Sequence, residues 1–286
     1  MNDLASQPPG VPHNTAGTKS SVAAEPTSPF SEGQAKRHLH AEWTKLRTQP
    51  GLGWLLLGLI AITVGASVTA AAVMTCAPTG CTQDAARISL FGVQAGQVLV
   101  TILAVLAITG EYTTGMIHTT LTAMPRRGIV LASKAVLITG LTVVAGTIGV
   151  LASLQAGRLI LPGNGFPLLS LTDGATLRAT VGSILYLALI ALLSIGVAAV
   201  IRDSAAAIGA VLGLLYLPSV LQLLIKNPEW ERLVWKVSPM SSGLAIQATT
   251  DASKLPLSPW AGLGVLTAWT LAALLGGTLL LRHRDT

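Results

Sequence analysis

Charge is scarce in this sequence. Asp, Glu, Lys and Arg together make up 10% of 286 residues, against about 25% in an ordinary soluble domain. With 51% hydrophobic residues, that shortage excludes a disordered regulator and a typical soluble enzyme. Aromatic residues make up only 4%, while Gly and Ala are abundant. This favours closely packed helices over a barrel, which would show short alternating segments rather than continuous apolar runs. Two cysteines, Cys76 and Cys81, are too few for a disulfide framework.

Reactive groups are missing where a membrane enzyme would need them. The histidines are His13, His38, His40, His118 and His283, all outside the apolar runs. No Ser–His pair and no His-Glu-x-x-His metal site can therefore form at membrane depth. No span carries an Asp or Glu in its interior, which argues against a proton-coupled carrier. The Gly-x-x-x-x-Gly-Lys-Ser/Thr pattern of a phosphate loop is absent, so the chain cannot hydrolyse ATP through such a loop of its own. The expectation is a protein that is not itself an enzyme, with no catalytic residue, cofactor site or metal site. The net charge of +6 suits membrane orientation better than nucleic-acid binding.

What is present is a series of uncharged runs. A membrane helix needs about 20 apolar residues, and six runs meet that length, at about 52–73, 88–110, 135–157, 179–201, 204–225 and 259–281. The fold class expected is an all-α membrane protein of six transmembrane helices, with an N-terminal interfacial amphipathic helix and a cytoplasmic coupling helix. Its parts are a disordered cytoplasmic tail over 1–30, the interfacial helix over 31–48 and the six-span domain over 49–286. The tail lacks the apolar core of a signal peptide, so span one would act as an uncleaved targeting signal. Six is even, so both termini share a side. Ten basic residues close to the membrane fall on that side and seven on the other, which places both termini in the cytoplasm.

That orientation puts Cys76 and Cys81 outside, where disulfides persist. Their spacing allows a bridge; two unrelated thiols are the alternative. Gln94 and Gln97 in span two, and Gln222 near the outer end of span five, are polar groups at membrane depth. Hydrogen bonding between helices is the plainer reading of them, and a pathway lining the sharper one. Gly92-x-x-x-Gly96 and Gly209-x-x-x-Gly213 permit close helix approach in spans two and five, and Pro218 should kink span five.

The connections are patterned too. Before span one, Leu39, Trp43 and Leu46 follow at i, i+4, i+7, with Glu42, Lys45 and Arg47 among them. This spacing predicts a helix lying in the cytoplasmic interface. After span two, Ile117, Leu121 and Met124 repeat the spacing. Glu111 stands at the start of that segment, and Pro125, Arg126 and Arg127 at its end, as the helix dipole favours. A short helix with one polar face, lying across the cytoplasmic mouth, suits a docking element for a cytoplasmic partner. In the last long loop, Trp230 and Trp235 suggest an interfacial helix. The following Ser238–Ala248 stretch reads as a turn and a short return toward the membrane, which would cap a pathway; a loose loop with interfacial tryptophans is the alternative.

In this order along six spans, the features resemble the ABC type-2 permease family of bacterial exporters in its actinobacterial form. Ala41-Glu-Trp-Thr-Lys-Leu-Arg47 is similar to that family's interfacial helix. Glu111-Tyr-Thr-Thr-Gly-Met-Ile117 with Pro125-Arg-Arg127 is similar to its coupling segment, and Leu281-Arg-His-Arg-Asp-Thr286 to its basic terminus. The resemblance covers about 36–286. It implies a multi-pass protein of the bacterial cytoplasmic membrane in which two permease copies, identical or similar, pair with separate cytoplasmic ATPase subunits. ATP and Mg would be bound by those ATPases. It also implies that Glu111, Tyr112, Met116, His118, Thr119, Arg126 and Arg127 couple the spans to the ATPase, with Met116, His118 and Thr119 as the candidate contacts; a drug, peptide or lipid-like cargo would each fit apolar spans with a few glutamines. Two features depart from the family: the N-terminal tail is long, and the family does not require the Cys76–Cys81 loop. A membrane scaffold or immunity protein that transports nothing is the alternative reading.

Overall fold

The computed structural model describes residues 50–76, 81, 83–113, 127–250 and 252–283. Helices dominate, and no strand occurs among the described residues. Span one is α1, Pro50–Val73. Span two comprises a short helix α2, Ala85–Ser89, and α3, Gly92–Thr113. Span three is α4, Arg127–Ile160, and span four is α5, Gly174–Ile201. Span five is α6, Ser204–Leu224. The short helices α7, Pro228–Val237, and α8, Pro239–Gly243, lead to span six, α9, Pro259–His283. Six helices are long and apolar enough to cross a membrane, so this is a multi-pass membrane protein.

The expected tail, the interfacial helix with Leu39, Glu42, Trp43, Lys45, Leu46 and Arg47, and the coupling residues Met116, His118, Thr119 and Arg126 all lie outside the described residues. The ends of the segment are described, and one expectation changes there. Glu111 does not open a new helix: α3 carries on through Glu111 and Tyr112 to Thr113. Gly110 does not break it, because i to i−4 bonding continues wherever the following residues can adopt helical angles. Arg127 opens α4. Span three is correspondingly longer than expected, at 34 residues. Lys134, which precedes the expected start of span three, lies inside it. Its side chain is buried and its ammonium donates to the Ala107 carbonyl at 2.9 Å. A lysine stem can cover apolar surface while its head finds an acceptor, so the charge does not end the helix.

Span four is the centre of the bundle. It packs against α3, α4, α6 and α9, while α1 lies against α3 and α4, and α6 against α3 and α5. Its core includes Leu187, Ile190, Leu193 and Ile195, with Val100 and Leu103 from span two and Ile138 from span three. Lipid tails are as apolar as leucine, so burial alone drives helix association weakly and close packing of small residues has to contribute. That packing is visible where spans one and two cross. A Cβ at Gly92 would stand 1.8 Å from the Thr63 carbonyl oxygen, and one at Gly96 2.4 Å from Thr63 Oγ1. Spans four and six meet the same way: a Cβ at Gly196 would stand 2.7 Å from the backbone of Ala273 and Leu274. A Cβ at Gly209 or Gly213 in span five would meet nothing within 4 Å, so the second glycine pair makes no close approach among the described residues.

The described connections differ in length. Spans four and five are joined by Arg202 and Asp203 alone. Arg202 takes a left-handed conformation (φ 63°), and Asp203 caps α6 by accepting from the Ala206 N–H at 2.8 Å. On the opposite side, three longer connections are tied together. Cys76 and Cys81 form a disulfide with Cα atoms 5.0 Å apart. The Cys76 N–H donates to the Asn164 carbonyl, and Asn164 Nδ2 donates to the Ala71 carbonyl at 2.8 Å. We refer to this side as the disulfide side.

Candidate functional site: a polar seam through spans two, four and five

Polar side chains at membrane depth need partners, because hydrocarbon offers none. Tracing those partners defines the site. Gln97 in α3 and Tyr186 in α5 are both fully buried, and the Tyr186 hydroxyl donates to Gln97 Oε1. Gln97 Nε2 donates to the Met240 sulfur in α8 at 3.4 Å. Ser219 in α6 lies 4.0 Å from the same sulfur and 3.3 Å from the Ser241 hydroxyl. Gln222 Nε2 donates to Ser241 at 3.2 Å, and the Tyr216 hydroxyl donates to the Gln94 carbonyl at 2.7 Å. Amides, hydroxyls and one thioether therefore run from the buried heart of the bundle to the half-buried edge where spans two and five meet α8.

The three glutamines singled out from the sequence fare differently. Gln97 is enclosed and satisfied, as expected of a bond between helices. Gln222 is half-buried and tied to α8. Gln94 joins through its backbone, and its side chain is half-buried. The structure adds Tyr186, Tyr216, Ser219, Met240 and Ser241, which sequence reasoning passed over. A phenol inside the uncharged run of span four was the available signal, since a buried Tyr hydroxyl usually needs a partner.

The seam depends on α8 sitting deep among the spans. Ser238 begins this return: it accepts from the Ser241 N–H at 3.3 Å as the helix cap. Pro239 follows at the first helical position, where no N–H is needed. Met240, Ser242 and Gly243 are buried, and a 3₁₀ turn, Leu244–Gln247, then leads back along span four toward its start. Two glycines permit this depth. A Cβ on Gly243 would stand 2.7 Å from the Tyr186 ring, and one on Gly262 2.0 Å from the Ser242 carbonyl oxygen. Gln247 Nε2 then donates to Ser183 in span four at 3.0 Å. The return toward the membrane expected from the sequence is therefore present.

A clasp closes the disulfide side above the seam. Asp84 caps α2 by accepting from the Ala86 and Arg87 N–H groups at 3.0 and 3.3 Å. It also accepts from the Thr249 hydroxyl at 2.6 Å, from the Thr249 N–H, and from the Thr250 N–H at 2.9 Å. Burial pushes the Asp84 carboxyl up, but the Thr249 hydroxyl and the Thr250, Thr249 and Arg87 N–H groups outweigh it and hold the carboxyl below its ordinary range. Arg178 Nη2 donates to the adjacent Ala248 carbonyl at 2.6 Å. The first and last connections of the disulfide side are thus held by one acid and one base.

Chemically, the seam holds no charged side chain. It can donate and accept hydrogen bonds in a low-dielectric setting, which suits an uncharged polar group entering from the membrane. The chain matches no protein-family model, and it matches no curated protein.

Proposed function

We propose that this chain is the membrane-spanning permease subunit of an ATP-driven exporter, with the seam along spans two, four and five as part of its pathway. The observation that carries the reading is the uncharged polar seam inside a six-span bundle, closed on one side by a re-entrant segment. The seam offers hydrogen bonds without the intramembrane carboxylate that a proton-driven carrier would use, so an external energy source fits. A separate cytoplasmic ATPase, which binds ATP and Mg, supplies it through the Glu111–Arg127 segment. The termini then face the cytoplasm and the disulfide side faces outside. A second copy, or a similar permease, completes the assembly. A drug, peptide or lipid-like cargo suits apolar spans with a few hydrogen-bonding groups.

The test is co-purification of the chain with a cognate ATPase, with ATP hydrolysis and cargo efflux followed in parallel. Glu111→Ala, or Arg126→Glu with Arg127→Glu, should uncouple hydrolysis from efflux or weaken ATPase binding while insertion stays normal. Variants that insert and keep full binding, hydrolysis and efflux would remove the coupling role. A chain that binds no ATPase and moves nothing would favour the scaffold reading.

A further inference from the structure

Helix α7 has no buried residue, although it lies between two membrane spans. Asn227 caps it by accepting from the Glu229 N–H at 2.9 Å. Trp230, Leu233, Val234 and Val237 follow at i, i+3, i+4, i+7 and so share one face. Trp230, Leu233 and Val237 on that face are 60%, 49% and 51% exposed. Glu229, Arg232 and Lys236 lie on the opposite side. Trp235 faces away from the apolar stripe and is half-buried. The helix touches α6, α8 and α9, so the bundle takes one flank and leaves the apolar face uncovered.

Two attachments fix the depth of this face. Span five has 21 residues, about 31 Å at 1.5 Å per residue, which matches the roughly 30 Å hydrocarbon thickness. Its last residue, Leu224, therefore stands at the edge of the hydrocarbon, and α7 begins after only Ile225, Lys226 and Asn227. At the other end, Trp269 Nε1 donates to the Val237 carbonyl at 2.9 Å. Trp269 lies ten residues into span six, so the C-terminal end of α7 is held below the start of that span. The helix is inclined into the membrane edge. Its bare face continues the lipid-facing belt of span five, where Leu217, Val220, Leu221, Leu223 and Leu224 are all exposed.

We propose that the apolar face of α7 is a lipid-binding surface seated at the headgroup–acyl boundary of the leaflet on the disulfide side. Trp230 lies at that boundary, Leu233 and Val237 reach the upper acyl chains, Glu229 and Arg232 stay in water, and the Lys236 stem carries its ammonium up to the boundary. The contact reaches the seam without a linker. Ser238 is at once the C-terminal cap of α7 and the N-terminal cap of α8, and it is itself buried. Met240, two residues on, touches Gln97. Lipid held by α7 therefore fixes one wall of the seam. This inference needs only the membrane setting and stands or falls independently of an ATPase partner.

The full chain, reconstituted into phosphatidylcholine nanodiscs, provides the test. Tryptophan emission is recorded with phosphatidylcholine brominated near the headgroup end of its acyl chains, and separately with aqueous iodide. The difference between wild type and Trp230→Phe isolates the Trp230 emission, and Trp235→Phe isolates that of the tryptophan facing away from the stripe. The proposal expects the Trp230 share to be lost to brominated lipid and spared by iodide, with the Trp235 share less affected by the lipid. Trp230 emission lost to iodide but not to brominated lipid would place the face in water and overturn the proposal. Emission spared by both would mean that protein, such as a second copy, covers the face, and would overturn it equally. Trp→Phe keeps an apolar ring, so the variants retain the fold that the measurement requires.

Discussion

Asp84 and Thr249 lie 165 positions apart in the chain, yet the Thr249 hydroxyl and N–H both donate to one carboxylate. That carboxylate also caps α2. The same ion therefore starts span two and ties down the segment that precedes span six.

Replacing Asp84 with Asn removes the charge that strengthens these bonds. Hydrogen bonds to a charged group contribute about 1.5–3 kcal/mol each, so Asp84→Asn should lower the thermal midpoint of the solubilised protein. The pH dependence has a definite sign. A carboxyl whose folded pKa is depressed contributes stability that is fully present above its unfolded value, about 3.9, and that is lost as pH falls through the lower folded value. The gap between wild type and Asp84→Asn should thus be constant near neutrality and close only below about pH 4. Thermal scans from pH 7 to pH 3 provide the check; a gap that closes near pH 6 would mean another group carries the effect.

Tyr186→Phe removes the donor to a buried amide oxygen. Leaving Gln97 Oε1 unsatisfied costs about 1–3 kcal/mol, and hydrocarbon offers no substitute. Replacing both partners with apolar groups, Tyr186→Phe with Gln97→Leu, should recover part of that loss. A double-mutant cycle on unfolding midpoints measures the coupling, and strictly additive losses would count against a direct bond.

Gly92→Ala should destabilise by about 1–3 kcal/mol, because the backbones of spans one and two must move apart to admit a methyl group. Gly209→Ala should leave the solubilised monomer unchanged or slightly more stable, since alanine is the better helix former by about 1 kcal/mol and nothing lies within 4 Å. Thermal midpoints of the two variants compared side by side give the result.

Replacing Cys76 and Cys81 with Ala opens a loop of sequence separation 5. Loop closure on that scale stabilises by about 2 kcal/mol, so the double variant should melt earlier. Reduced wild-type protein in intact cells also reports orientation. A membrane-impermeant thiol reagent should label it without breaking the cells if the disulfide side faces outside; labelling only after lysis would reverse the proposed topology.

The sequence pattern shows some of this structure and hides the rest for physical reasons. The spans are legible because hydrocarbon tolerates few charges, so their limits show as charge-free runs. Helix ends are not, because helices continue into water: Lys134 and Glu111 sit inside helices despite their charge. Gly92-x-x-x-Gly96 and Gly209-x-x-x-Gly213 have the same spelling, but only the first meets another helix here, since a spacing carries no record of its neighbour. Gln97 stood out as a polar residue in a span. Its partner Tyr186 did not, because a lone aromatic in an apolar run also serves simple packing. The Asp84–Thr249 link was out of reach, because nothing local distinguishes an aspartate that caps one helix from one that also holds a distant loop.

The two-residue turn at Arg202–Asp203 has a mechanical consequence. Consecutive Cα atoms are 3.8 Å apart, so the ends of spans four and five can separate there by only about 11 Å, even with the turn fully extended. These two helices are the arms of a pair of tongs with its pivot at that turn. Any spreading between them must grow toward the disulfide side, where Tyr186 on one arm and Ser219 on the other border the same seam.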